Sequence, residues 1–152
     1  MEEIFELTFK IILAIILSSL IGAERELRQK GAGMRTHILV GVGSALIVLT
    51  SLHLFDMYNG VAVIDPTRMI TGIITGIGFL CAGTIIRGGS QVTGLTTAAT
   101  LWIVSGLGIA VGAGHYSAAI IVSIIVFLVL IGLRSAENKL RKTYKKISEG
   151  GH

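Results

Sequence analysis

Long apolar runs alternate with short polar breaks along this chain. The runs cover roughly Ile4–Gly22, His37–Phe55, Met69–Ile86, Thr97–Gly114 and Tyr116–Leu133. A bilayer core about 30 Å thick takes about 20 apolar residues per helix. Each run reaches or approaches that length. In lipid every backbone polar group must be satisfied within its own segment, so the runs read as helices. The pattern predicts an all-α, polytopic integral membrane protein. Five transmembrane helices fill residues 1–133, and a basic amphipathic cytoplasmic tail follows over 134–152.

The breaks carry their own signals. Glu24 with Arg28 and Glu26 with Lys30 are i,i+4 pairs with the acid first, which extends the first helix past the membrane. Gly31-Ala32-Gly33 ends it, and the second helix opens near Arg35-Thr36. Asp65-Pro66 reads as an N-cap and first helical position for the third. Arg87-Gly88-Gly89-Ser90 reads as a flexible turn, Thr96-Thr97 as the start of the fourth helix, and Ala113-Gly114-His115 as a tight hairpin before the fifth. Beyond the spans, Leu133, Ala136, Leu140, Tyr144 and Ile147 recur at helical spacing among Lys and Arg. That is either a helix lying on the inner leaflet or an ordinary stop-transfer flank.

Charge sets the expected orientation. Of the 13 Lys and Arg, all but Lys10 and Arg68 fall in the first and third loops or the tail. The positive-inside rule places those segments in the cytoplasm and the N-terminus outside. The acidic start, Glu2, Glu3 and Glu6, lacks the basic region of a cleaved signal, so the first run reads as a retained span. Bases placed beside a membrane find anionic headgroups as their nearer partner, and nucleic acid is not expected. A single cysteine, Cys81, rules out an internal disulfide and reads as a packing residue.

Helices in lipid associate through small residues. The third span carries Gly72, Gly76, Gly78 and Gly83, and the fourth Gly106, Gly108 and Gly112, so these two are expected to form the dense centre. Thr71 and Thr75 continue the stripe of the third span, which lines a polar path or simply bonds back to its own backbone. The fifth span, rich in Ile, Val and Leu, is expected at the lipid-facing edge. At a constant offset of 61 residues Gly22 matches Gly83, Gly33 matches Gly94, Thr36 matches Thr97 and Ser44 matches Ser105. Either this is a parallel repeat of two helical hairpins about an axis along the membrane normal, or it is coincidence in a chain with 20 Gly.

No acid among the nine sits in the middle of a span, which argues against a carboxylate-based cation carrier within one subunit. A pore lined by hydroxyls and carbonyls stays open. The four histidines show no ligand spacing and read as interfacial or tail residues, and neither a catalytic set nor a metal or cofactor motif is visible. One constellation stands out. Glu24, Arg25, Arg28, Arg35, Thr36, Arg87, Thr96 and Thr97 lie near one membrane plane, beside two helix N-termini. Arginines with free helical N–H groups suit an anionic headgroup, a small anion or an acidic partner segment, with Glu24 anchoring the arginines. The alternative is a topology signal alone.

These residues also carry a family resemblance. Ile21-Gly22-Ala23-Glu24-Arg25-Glu26-Leu27-Arg28, Ala32-Gly33-Met34-Arg35-Thr36 and Leu39-Val40 resemble the first motif of the MgtC/SapB family. Residues Gly76 to Arg87 look like its second motif, and Gly94-Leu95-Thr96-Thr97-Ala98-Ala99-Thr100-Leu101-Trp102 like its third. The resemblance implies a bacterial inner-membrane protein linked to magnesium limitation. It further implies action on a membrane protein partner, the ATP synthase in one branch, rather than carriage of Mg2+. Thr96 stands where the family usually has Asn, and Cys81 where it usually has Gly. The chain resembles the short, SapB-like type without a C-terminal soluble domain. The expected function is a non-enzymatic regulator acting through a protein partner or lipid. The alternative is a transporter or channel for Mg2+ or another small ion, working as an oligomer; the Gly-rich faces leave surface for a homodimer, and the sequence does not name the oligomer.

Overall fold

In the computed structural model, residues 1–58, 65 and 67–149 are described, with 134–149 as helix backbone only. Five helices run α1 (Glu2–Leu27), α2 (Met34–Met57), α3 (Thr67–Gly83), α4 (Leu95–Gly112) and α5 (Tyr116–Glu149). Four are long and apolar enough to cross a membrane, while α3, with 17 residues, is shorter. The helix of α5 continues through Glu149 without a break. The amphipathic face expected beyond Leu133 lies outside the described side chains.

Cross-helix contacts give the helix directions. Gly22 meets Met34 and Ser18 meets Gly41, so α1 and α2 are antiparallel. His37 bonds Thr100, Gly41 meets Val104 and Ala45 meets Gly112, so α2 and α4 run parallel. The Cys81 thiol donates to the Ala98 carbonyl at 3.2 Å, which joins α3 to α4 in antiparallel sense. Ser123 donates to the Leu17 carbonyl, and Phe9 meets Tyr116 edge-on at 5.4 Å, so α5 runs with α1. Each helix therefore reverses the one before it. The end of α1, the starts of α2 and α4, and Leu133 gather at one end of the bundle.

The dense centre is α1, α2 and α4, not α3 with α4. A Cβ on Gly108 would overlap the Gly41 carbonyl, and one on Gly112 would lie 2.9 Å from the Ala45 carbonyl. Gly72, Gly76, Gly78 and Gly83 instead face open space, so the α3 stripe does not pack the bundle. Thr75 donates to the Thr71 carbonyl at 2.9 Å, the back-bonded arrangement. Ala14, Leu17, Ile21, Ala45, Val104 and Val111 form the main core, and Ile77, Cys81, Ala98 and Leu101 a smaller one under α3. Most of the apolar side chains of α5 are exposed, as its composition predicts.

Two helices end in the same way. Gln29 N–H bonds Glu26 and Lys30 N–H bonds Arg25 at the end of α1, while Gly114 and His115 bond Val111 and Ala110 at the end of α4. Both are Schellman motifs, which need a left-handed residue after the cap. Gly114 supplies it at φ +84, and Gln29 adopts it at φ +52. The expected flexible turn at Arg87-Gly88-Gly89-Ser90 is instead ordered: β1 (Ile86–Gly88) pairs antiparallel with β2 (Gln91–Thr93), and Gly89 turns at φ +61. The third apolar run therefore stops being helical at Gly83, and Ile86 belongs to a strand. At the other end of α3, one Asp65 carboxylate oxygen accepts from both the Thr67 hydroxyl and its N–H, at 2.6 and 2.9 Å. Those two bonds hold the Asp65 carboxyl below its ordinary pKa. Asp65 thus caps α3 as expected, and Pro66 lies outside the described residues.

The repeat survives at the caps only. Gly33 and Gly94 are both helix N-caps, matching the 61-residue offset. A two-fold axis would also require α2 and α4 to touch through equivalent faces. The α2 face that meets α4 carries His37, Gly41 and Ala45, whose offset mates are Ala98, Trp102 and Gly106. Trp102 is 50% exposed and Gly106 meets nothing, so the equivalence fails at that contact.

Candidate functional site

Polar chemistry collects where α1 ends. Glu24 is one turn from the C-terminus of α1 and is 5% exposed. A carboxylate that deep must be paired, since an isolated buried charge is far more expensive than a bridged one. Arg25 Nη1 donates to its Oε2 at 3.3 Å, and Arg28 Nε to its Oε1 at 3.2 Å. Arg28 lies one turn on, at the favourable i,i+4 spacing. Arg25 is also 5% exposed, yet the Glu24 contact is the single hydrogen bond of its side chain among the described residues, and its Nε has no partner there.

Beside this pair lies a cavity of about 290 Å³ lined by Glu24, Arg25, Arg28, Lys30, Thr96, Val129, Leu130 and Leu133. Two helix ends and the middle of α5 build it. The Schellman turn at Gln29 swings Lys30 back onto the rim. Gly94, at φ +87 and pressed against the Thr84 carbonyl, opens α4 with no side-chain cap, so Thr96 sits in its first turn. The end of the fifth span gives the apolar wall. A second cavity of about 400 Å³ shares Lys30 and is lined also by Gly83, Thr84, Gly94 and Thr97.

Of the residues singled out from sequence, Glu24, Arg25, Arg28 and Thr96 line the first cavity and Thr97, buried, the second. Arg35 and Arg87 are exposed and line neither. Thr36 faces a different feature, an apolar groove of about 570 Å³ between α2 and α3 that Gly72 and Gly76 also line. Thr71, Thr75 and Gly78 are exposed outside that groove, and Gly83 borders the second cavity. Lys30 and the α5 wall went unread in sequence, because nothing in Gln29 announces a left-handed turn. Glu26, expected to pair with Lys30, accepts instead from the Met34 N–H at 2.8 Å and serves the start of α2.

His37 is the other correction. It is fully buried, not interfacial. Its Nδ1 donates to the Gly33 carbonyl at 2.8 Å, and its Nε2 lies 3.0 Å from the Thr100 hydroxyl, tying α2 to α4 just above the cavity. The signal was present: His37, Gly41, Ser44 and Val48 share one face of α2.

With this geometry in place, the comparisons decide the family. The sequence profile of the MgtC family matches residues 11–139. The chain belongs to the MgtC family. Among its relatives, the putative magnesium transporter YhiD of Escherichia coli K12 is 42% identical over 127 residues, 82% of this chain and 59% of that protein. Protein MgtC of Salmonella typhimurium 14028s is 39% identical over 145 residues, 93% of this chain and 60% of that one. The uncharacterized protein slr0014 of Synechocystis is 40% identical over 129 residues, 85% of this chain and 53% of its own. The chain thus spans about three fifths or less of the length of these curated relatives. No solved structure matches. The apolar helices and the MgtC-family relatives make this a membrane protein.

Proposed function

We propose that this MgtC-family chain is a bacterial inner-membrane protein linked to magnesium homeostasis. It acts as a non-enzymatic regulator, through a membrane protein partner or lipid, with its N-terminus outside and its C-terminus in the cytoplasm. The names of its relatives, MgtC and a putative magnesium transporter, support the magnesium link. The alternating helix directions support the orientation, since Arg25, Arg28, Lys30, Arg35 and Arg87 then share the end at which Leu133 leaves the bundle.

The observation that carries the regulator reading is the basic cavity. Among the described residues its one carboxylate, Glu24, is bound by two arginines, and Arg25, Arg28 and Lys30 outnumber it. Mg2+ takes oxygen ligands, usually carboxylates, and a cluster of cations repels it. The cavity instead suits an anionic group on a lipid or partner. The second reading, an oligomeric Mg2+ or small-ion channel, draws on the α2–α3 groove, whose Gly72 and Gly76 wall a second copy would close.

Ion flux separates the two. Purified protein in phosphatidylethanolamine–phosphatidylglycerol liposomes, tested with Mg2+, K+ and H+ in turn, is expected to give no flux above empty liposomes. Flux abolished by Gly76→Leu would establish the channel instead.

A further inference from the structure

We propose that the cavity at the end of α1 is a site for a phosphate group. The group is that of a phospholipid headgroup or of a free phosphate anion. Four observations converge. Arg25 is nearly buried, forms part of the wall, and keeps a buried Nε with no acceptor. A guanidinium carries five N–H donors and Arg25 is seen to use one, on Glu24, so its donors on the cavity wall can take an acceptor from a ligand. Arg28 and Lys30 add donors, and together the three cations exceed Glu24 by two charges. Arginine and lysine offer donors only, so the complementary ligand is rich in acceptors and negative. Finally, α4 starts after Gly94 with no side-chain cap and puts Thr96, in its first turn, on the cavity wall, and such a terminus attracts anions.

The shape distinguishes a bare ion from a larger molecule. The cavity measures about 290 Å³. A water molecule takes about 30 Å³ of liquid, so one tetrahedral anion leaves most of this space empty. Val129, Leu130 and Leu133 form the remaining wall, and Val129 and Leu133 are largely exposed on the outer side of α5. A phosphate held by Arg25, Arg28, Lys30 and Thr96, with apolar chain leaving along α5, fills both halves. The regulatory role of such binding rests on the reading above, but the binding does not. Flux in liposomes would sink that reading and leave this site standing.

The experiment follows the melting of the full chain in detergent. The probes are dioctanoyl phosphatidylglycerol, dioctanoylglycerol and inorganic phosphate, with chloride as ionic control. The expected result is stabilisation by the phosphatidylglycerol, none by dioctanoylglycerol, and at least a tenfold loss of apparent affinity in Arg28→Gln/Lys30→Gln. Glu24 keeps its Arg25 partner in this variant, and the melting of the ligand-free variant checks that it is folded before affinities are compared. Equal stabilisation by inorganic phosphate, with the same loss in the variant, supports the site and assigns it to the free anion. Stabilisation by dioctanoylglycerol equal to that by its phosphate-bearing counterpart would overturn the proposal. So would an affinity unchanged in the double variant.

Discussion

The glycines of α2 and α4 and the glycines of α3 look alike in sequence and do opposite things. Gly41 and Gly108 bring two backbones into contact, whereas Gly72 and Gly76 line the α2–α3 groove and Gly78 lies outside it, all where a Cβ would meet nothing. Lipid tails supply no hydrophobic drive between helices, so stability resides where backbones approach. The α1–α2–α4 centre is therefore the rigid part. The exposed faces of α3 and α5 are held to it by fewer contacts and are free to meet lipid or another chain.

The sharpest way to break this comparison is a matched pair of substitutions. Gly108→Leu drives a side chain into the Gly41 carbonyl and the Ser44 Cβ. Overpacking against side chains costs about 1–3 kcal/mol, and backbone cannot step aside, so a loss beyond about 3 kcal/mol is expected. Gly76→Leu, into open space, is expected to keep a single sharp peak in size exclusion and an unchanged melting temperature. Equal damage from both would mean that the α3 face is packed in the working protein.

How much of this was legible in the sequence depends on what the signal was. Helix existence came through, because runs such as Ile4–Gly22 are long and uniformly apolar. The Asp65 cap came through, because it is a local bond to Thr67. The half of the site on one turn of α1, Glu24, Arg25 and Arg28, was also readable. What failed was pairing. The Gly content of α3 is as high as that of α4, and nothing in either helix says which face meets a neighbour. Lys30 and Val129 are remote in sequence and join through a turn at Gln29 that residue preferences do not advertise. The burial of His37 could be read from the small-residue face it shares with Gly41 and Ser44, but its partner Thr100, 63 positions away, could not.

The ion pairs extend the contrast between centre and rim. Glu24 is held between two arginines at the packed end, while Glu6, 61% exposed, pairs with Lys10 at 2.7 Å on the opposite end of α1. Removing one partner of a buried pair leaves the other charge uncompensated and costs about 3 kcal/mol or more in dry interiors. Arg28 is 37% exposed and the cavity admits water, so about 2–3 kcal/mol is expected for Glu24→Gln, the low end for a buried pair. Glu6 is the exposed partner of its pair, the Lys10 side chain being 11% exposed, so Glu6→Gln is expected to cost about 1 kcal/mol, well below Glu24→Gln. Chemical denaturation in mild detergent gives both values. A Glu24→Gln loss as small as that of Glu6→Gln would place the cluster in open water and remove the reason for calling it a site.

The smallest effect tests whether glycine here is ever needed for its backbone and not for its size. Gly114 and Gln29 close the same motif on α4 and α1, each in left-handed backbone, at φ +84 and +52. Gly114 has open space around its missing Cβ, so room does not explain it. A left-handed residue other than glycine carries about 1 kcal/mol of strain. Gly114→Ala is therefore expected to destabilise by about 1 kcal/mol, against the usual gain of Gly→Ala where φ is negative. Gln29→Gly runs the other way, relieving strain in the native turn while loosening the unfolded chain, for a net gain of about 0.5 kcal/mol. Opposite signs in one thermal-shift series would show that three separate reasons for glycine operate here: contact in the centre, open space on α3, and backbone sign at the helix ends. Identical signs would mean that the turn at Gln29 is not held left-handed, and Lys30 would then lose its hold on the cavity rim.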